Sequence, residues 1–337
     1  MKKIYAYIIA VVAAVGLSGC HQIEEYDNTT VGNFEMLWQL FDEHYCFFAE
    51  KGVDWDAARA KYAPMAAKCR TQQQLFDVCA QMLDELRDGH VNLSSWFETY
   101  YYRAWWSDYP QNFDARVIEQ NYLNFNYKQL GPVTFGILRD NVGYMRISNF
   151  DSGIGDSNMS AILREMQLTA GLIIDVRDNG GGSMDNVETI VRRFIKEKTL
   201  VGYIRHKTGP GHDDFSEPYA YYYAPPAGAL VWGKPVVVLC NRSTFSAANN
   251  FVSVMKLLPG VTVAGATTGG GSGMPMSYEL PCGWGVRMSA CPVLDAQGNG
   301  TEFGVDPTPG FAVDITALDI AAGRDPILER AVEKITN

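Results

Sequence analysis

From Gly131 onward, short apolar runs of strand length alternate with longer runs of helical period, and this alternation restricts the fold more than any other feature of the chain. Val133 to Arg139 and Val142 to Ser148 read as two strands joined at Asp140-Asn141, a hairpin turn. Ser160 to Leu168 reads as a helix and Gly171 to Val176 as a buried strand. The next helix, Asp185 to Lys196, puts Val187, Ile190, Val191, Phe194 and Ile195 on one face. Pro235 to Cys240 is a second apolar strand, Ser246 to Leu258 a helix and Val261 to Ala264 a third strand. Such an order predicts an α/β core with right-handed crossovers. Ile315 to Ile335 reads as a pair of helices, the last opened by Asp325-Pro326.

The first part of the chain has a different period. Between Val31 and Leu86, Phe34, Leu37, Trp38, Phe41 and Tyr45 share one helical face, and Leu75, Cys79, Met82, Leu83 and Leu86 share another. Thr71 with Gln74 has capping-box spacing and marks the start of the later helix. Trp96 to Gln129 is aromatic, irregular and too short for a further inserted domain. The expected organisation is an N-terminal helical subdomain over 31–97 and an α/β core over 98–337.

Charge and cysteine usage narrow the partners. With 28 Lys and Arg against 38 Asp and Glu, a formal charge of −10 leaves no cationic surplus to displace phosphate counterions, so no nucleic-acid partner is expected. A basic substrate suits such a chain better than an acidic one. Lys2 and Lys3, the apolar run Ile4 to Val15 and then Leu17-Ser18-Gly19-Cys20 make up the three parts of a secretory signal. The apolar run is shorter than the roughly 20 residues needed to span a bilayer. Its ending resembles the lipobox of bacterial lipoproteins, which implies a signal peptide over 1–19 and diacylation of Cys20. An ordinary secretory signal is the alternative. The protein would then be exported and held at the cell envelope by a lipid anchor, periplasmic or outer-membrane, with residues 20–30 as a polar tether. The remaining six cysteines permit disulfides, and Cys282 and Cys291 flank an apparent hairpin and could pair. No C-x-x-C occurs and the five histidines are scattered, so no metal site is expected.

Three short segments carry the chemistry. Arg177-Asp178-Asn179-Gly180-Gly181-Gly182 joins a strand to a helix, and its glycines allow positive φ and leave amides open to an anion. It lacks the spacing of nucleotide-binding loops. Asn241 to Ala248 is a strand-to-helix turn with Ser246 at the helix start. There free amides favour negative charge on a bound carbonyl, although serine is equally a common N-cap. Asp88-Gly89-His90 follows a helix end, and its imidazole could act as a general base or simply pack.

Together these residues carry a family resemblance. Asp175 to Gly182 resembles the D-L-R-x-N-x-G-G signature of the C-terminal processing (tail-specific) serine peptidases, and Ser243 to Ala248 is similar to their nucleophile turn, with Ser246 on the nucleophile. Gly265, Thr268 and Gly270 match the segment that follows. That resemblance implies a crotonase/ClpP-like core, peptide or unfolded-protein substrates and no cofactor. In the better-known branch a lysine serves as base, but its position falls on Gly271 here. The tricorn-type branch is similar in having glycine there and a histidine base, which implies His90, supported by a glutamate, which implies Glu302. Gly89 stands where that branch has a serine. Lys234 and Lys256 are poor substitutes for the lysine.

On this reading His90 takes the Ser246 proton during attack on a peptide carbonyl and returns it to the leaving amine. Amides of Gly181 and Ala247 hold the oxyanion, worth ~3 kcal/mol each in such sites. Glu302 orients His90 directly or through another group. An unperturbed His90 would lose activity around pH ~6.5. Two rival expectations are an inactive peptide-binding lipoprotein and a carrier of small hydrophobic molecules. The tyrosine run Tyr219 to Tyr223 and Met274, Met276 and Met288 read as flap and core filler.

Overall fold

The computed structural model describes residues 26–110 and 112–337. The expected signal peptide, Cys20 and most of the tether lie outside the described residues. Among the described residues, no helix is long and apolar enough to cross a membrane.

The described residues open with four helices: α1 (Thr30–His44), α2 (Phe48–Lys51), α3 (Trp55–Ala66) and α4 (Gln72–Asp84). Thr29 caps α1, and Phe34, Leu37 and Phe41 form its buried stripe, while Trp38 sits on the flank with its indole N–H on the Trp55 carbonyl. Thr71 caps α4 by accepting from Gln74 N at 3.2 Å. The Gln74 side chain returns to Arg70 N at 2.8 Å, one residue short of a closed capping box.

Two short strands follow, β1 (Asn92–Ser94) and β2 (Thr99–Tyr101), and they pair with each other across position 97/98, where the sequence reading changes unit. Next come β3 (Lys128–Leu130), β4 (Val133–Ile137), β5 (Gly143–Ile147), α5 (Asp156–Met166), β6 (Leu172–Asp175) and α6 (Met184–Val191). The rest is β7 (Thr199–Ile204), β8 (Tyr219–Tyr223), β9 (Val236–Cys240), α7 (Ala247–Leu257), β10 (Val261–Gly265), β11 (Gly273–Glu279), β12 (Gly285–Leu294), α8 (Ala317–Ala321) and α9 (Pro326–Thr336).

One sheet runs β10-β9-β6-β5-β4-β3, parallel from β10 to β5 and antiparallel beyond it. Helices α5, α6 and α7 cover one face and α9 the other, so β6 and β9 are apolar throughout, as expected of parallel strands buried on both sides. In the second sheet, β2-β1-β12-β7-β8 with β11 on β12, strands from both ends of the chain meet. The helical region packs on it through Trp284, Val286 and Met288.

Two expectations need correction. The helix expected to reach Lys196 ends at Val191, because Arg193 turns inward: its guanidinium is held by Asp156 at 2.8 Å and its carbonyl accepts from Trp232 N. Cys282 and Cys291 do not pair. Cys282 lies in the turn beyond β11 and Cys291 far along β12 opposite Met274, and all six described cysteines are free.

Beneath the sheet, Arg177 bridges Asp175 at 2.6 Å and Asp325 at 2.8 Å, with no member more than 1% exposed, and Tyr144 donates to Asp175 at 2.9 Å. Asp325 also caps α9 through Leu328 N, so this ion triad fastens the C-terminal helix to the sheet. Arg177→Met strands two buried carboxylates and should cost about 3–5 kcal/mol in a urea denaturation curve. A loss below about 1 kcal/mol would refute a structural role for the triad.

Candidate active site

β6 and β9 are neighbours in parallel register, so both end at the same edge of the sheet. The turn after each carries one half of the site. They are stitched together by Asn241, whose Oδ1 accepts from Asp178 N at 3.0 Å and whose Nδ2 donates to Asp178 Oδ1 at 2.7 Å, and by Thr244 Oγ1 donating to the Val176 carbonyl at 2.8 Å. Phe245 N donates to Asn179 O at 3.0 Å and Ser246 N to Gly270 O at 2.8 Å.

Those bonds hold Ser246 at φ 58°, ψ −124°, a backbone that a non-glycine residue adopts at a cost of about 1–3 kcal/mol. The helix starts at Ala247, not at Ser246 itself. Ser246 is its N-cap residue yet makes no side-chain capping bond, which leaves Oγ for another partner. That partner is His90: Nε2 lies 2.9 Å from Ser246 Oγ, across 156 positions of sequence.

His90 is 2% exposed, with its ring against Phe245 at 4.7 Å between centroids. Burial outweighs the attraction of Asp88 and lowers its pKa to about 4, with Arg287 and Lys51 adding to the fall. Its Nδ1 is buried and, among the described residues, has no hydrogen-bond partner. The imidazole is therefore neutral at pH 7, in a state able to accept a proton.

Behind the imidazole lies a buried charge cluster. Asp88 is fully buried; it accepts from His90 N at 2.8 Å, Tyr45 OH at 2.8 Å and Ser289 Oγ at 3.0 Å. Lys51, at the end of α2, lies 3.7 Å from Asp88 and 2.8 Å from Glu302. Glu302 does not touch His90: its carboxylate takes Lys51 on one oxygen and Ser272 N on the other at 2.8 Å. It is linked to His90 only through Lys51 and Asp88, and Asp88 meets the backbone N–H of His90, not its ring. Burial and the Asp88 charge raise Glu302 to about 7, while burial of Asp88 is overcome by Lys51 and His90 and its pKa is lowered. Burial opposes the charge on Lys51, yet the two carboxylates raise its pKa overall. The sequence reading gave Lys51, Tyr45 and Ser289 no role, and nothing in their local sequence marks one.

The amides expected to hold an oxyanion differ. Ala247 N lies at the helix start and carries no hydrogen bond among the described residues, whereas Gly181 N donates to Asn179 Oδ1 at 2.9 Å. The two residues are close neighbours, since a Cβ on Gly181 would lie 3.0 Å from Ala247 N. A smaller network supports α7: Thr268 Oγ1 donates to Asn249 Oδ1 at 2.6 Å and accepts from Val305 N at 2.7 Å.

Gly271 explains the absent lysine. It has φ 77°, and a Cβ there would sit 2.4 Å from the Phe245 ring. Gly89 is closed in the same way, by Trp105 at 2.6 Å and Phe245 at 2.9 Å. Lys256 is spent on the Asp306 carbonyl, and Lys234 on the carbonyls of Gln167 and Thr169. Among the described residues, no group of three His, Cys, Asp or Glu is arranged to hold a metal ion.

Two cavities flank Ser246. One of about 520 Å³ is lined by His90, Tyr101, Trp105, Gly181 and Arg287. The other, about 60 Å³, lies by Ala247 and is walled by Met184, Met274, Pro275 and Val293. A larger cavity of about 900 Å³ lies between α3, α4 and Tyr100, away from both His90 and Ser246.

The model for peptidase family S41 matches residues 141–309, and that for the tricorn protease C1 domain matches residues 27–84. The chain belongs to peptidase family S41. A solved structure from Parabacteroides merdae ATCC 43184, described as a candidate peptidase, is similar at 46% identity and TM-score 0.87, over 92% of this chain and 98% of that one. The chloroplastic C-terminal processing peptidase of Tetradesmus obliquus is 24% identical over 206 residues, 57% of this chain and 42% of that protein. Carboxy-terminal processing protease CtpB of Bacillus subtilis is 27% identical over 172 residues, 50% of this chain and 33% of that protein. This S41 chain thus spans less than half the length of these two curated relatives.

Gly271→Ala forces both a strained φ and a clash with Phe245, and should lower stability by roughly 1–3 kcal/mol in thermal denaturation. An unchanged melting temperature would show that the Phe245 ring moves aside freely.

Proposed function

We propose that this S41 peptidase is a serine endopeptidase that cuts peptides or unfolded protein tails at the cell envelope by Ser/His acyl transfer. The observation that carries the reading is the 2.9 Å contact between a buried, neutral imidazole and a serine held at a strained helix start without a capping role. His90 Nε2 takes the Ser246 Oγ proton as Oγ attacks the carbonyl, and then passes it to the leaving amine. Charge developing on the carbonyl oxygen is met by Ala247 N at the positive end of α7, and by Gly181 N once it turns from Asn179. Glu302 acts at a distance, by fixing Lys51 against Asp88, which in turn holds the His90 backbone. The envelope location follows from the N-terminal sequence reading, with Cys20 as the lipid-bearing residue.

A fluorophosphonate probe should label the protein, and Ser246→Ala should abolish labelling. His90→Gln should reduce peptide turnover by at least a factor of ~10³ while leaving the fold intact by circular dichroism. Well-folded protein that takes up no label would favour passive binding of peptides, and stabilisation by lipids instead of peptides would favour a hydrophobic carrier.

The pH profile has a definite sign. Since burial lowers the base to about 4, it stays unprotonated as pH falls from 8 to 6, and activity should be lost only near pH 4–5. That replaces the value of about 6.5 expected for an unperturbed imidazole. Half-maximal kcat/KM at pH 6.5 would mean that His90 is solvated in the working enzyme.

A further inference from the structure

If the serine and histidine act as proposed, the direction of the substrate across the site follows from proton bookkeeping. His90 must hand its proton to the leaving amine, so the leaving segment lies on the His90 side of Ser246. That side is the 520 Å³ cavity, on the scale of a bound short peptide. The acyl segment then takes the small apolar slot beside Ala247.

Among the described residues, Arg287 is the one cationic side chain lining the leaving-side cavity at neutral pH. It stands in β12 directly opposite Asn92, two residues beyond His90, so strand pairing places it beside the base. It is half-buried, and among the described residues its only side-chain hydrogen bond is a long one from Nη1 to Asn92 Oδ1 at 3.4 Å. Among the described residues, no carboxylate forms an ion pair with it. Asp88 is occupied by His90 N, Tyr45 and Ser289, and Asp151, at the exposed rim of the cavity, makes no ion pair with it. Burial accordingly lowers the Arg287 pKa, with Asp88 and Asp151 opposing that from a distance. A guanidinium kept partly out of water without a counterion is costly unless an anion visits it, and its planar fork suits a carboxylate in particular. In a chain of net charge −10 this is a local reversal of sign.

We propose that Arg287 anchors a carboxylate on the leaving side of the scissile bond, making it a specificity-determining residue for substrates cut next to an acidic group. The carboxylate is either the terminal α-carboxylate of the substrate or an Asp or Glu side chain. The overall negative charge of the protein, which favours basic substrates at long range, is overridden at this position by direct contact.

Binding to the full chain carrying Ser246→Ala tests the anchor separately from hydrolysis. Three fluorescent alanine-rich decapeptides serve as probes: one with a free terminal carboxylate, one amidated, and one amidated with glutamate as its last residue. Fluorescence anisotropy should show the free acid binding roughly ten- to a hundred-fold more tightly than the plain amide. Recovery of affinity by the glutamate amide identifies side-chain recognition, and failure to recover identifies the terminal carboxylate. Adding Arg287→Met should collapse the acid-to-amide ratio to near one, and Arg287→Lys should leave it at an intermediate value. Equal affinity for acid and plain amide overturns the anchor, as does a ratio that survives Arg287→Met. Absence of fluorophosphonate labelling in the wild type, with the acid preference intact, would sink the hydrolytic reading and leave the anchor standing.

Discussion

The parallel register of β6 and β9 is the constraint from which the site follows. Because Asp175 lies opposite Leu239, the two strands finish at the same edge, and the glycine turn and the serine turn begin side by side. Binding sites of open α/β sheets form beyond the carboxyl ends of such strands. Here the two turns also trade hydrogen bonds, through Asn241, Asp178, Thr244 and Asn179. The backbone strain at Ser246 persists because these contacts leave it no relaxed alternative. Loss of the register would therefore remove the site before it removed the fold.

The histidine arrives from outside that sheet, and its anchorage is electrostatic. Asp88, Lys51 and Glu302 come from the turn after α4, the end of α2 and the loop after β12, and all three are nearly excluded from water. Isolated, each charge would be prohibitively expensive to bury; together Lys51 offsets the carboxylates in part, and their oxygens satisfy the surrounding donors. One consequence is that the helical region is part of the site itself. Another is that the imidazole sits between a desolvating aromatic wall and a partly offset charge cluster, which keeps it neutral.

The parts legible in the sequence were those with a local signal. Strand and helix alternation, the caps at Thr71 and Asp325, the glycine run at 180–182 and the serine at a strand-to-helix turn are each set by neighbours within a few residues. What escaped was set from afar. Tyr45 and Ser289 reach Asp88 across 43 and 201 positions, and no period or spacing announces such meetings. The end of α6 was misjudged because Arg193 leaves the helix for a partner on α5, and the depressed basicity of His90 arises from burial that composition cannot reveal. Glu302 was located in sequence, but its position behind Lys51 required three dimensions.

The stacked rings of Trp105 and Phe245, 4.1 Å apart, are wedged among Gly89, Gly269 and Gly271. Each of these glycines would drive a Cβ into one of the rings, so aromatic pair and hydrogen-only positions form a matched set. A lineage moving from this arrangement toward a lysine base at position 271 would need to evict Phe245 first, and that loss would free the imidazole it packs against. On the proposed Ser/His reading the intermediate would have neither base in place, and choice of proton acceptor in this scaffold would be an epistatic lock guarded by two ring systems outside the proton path.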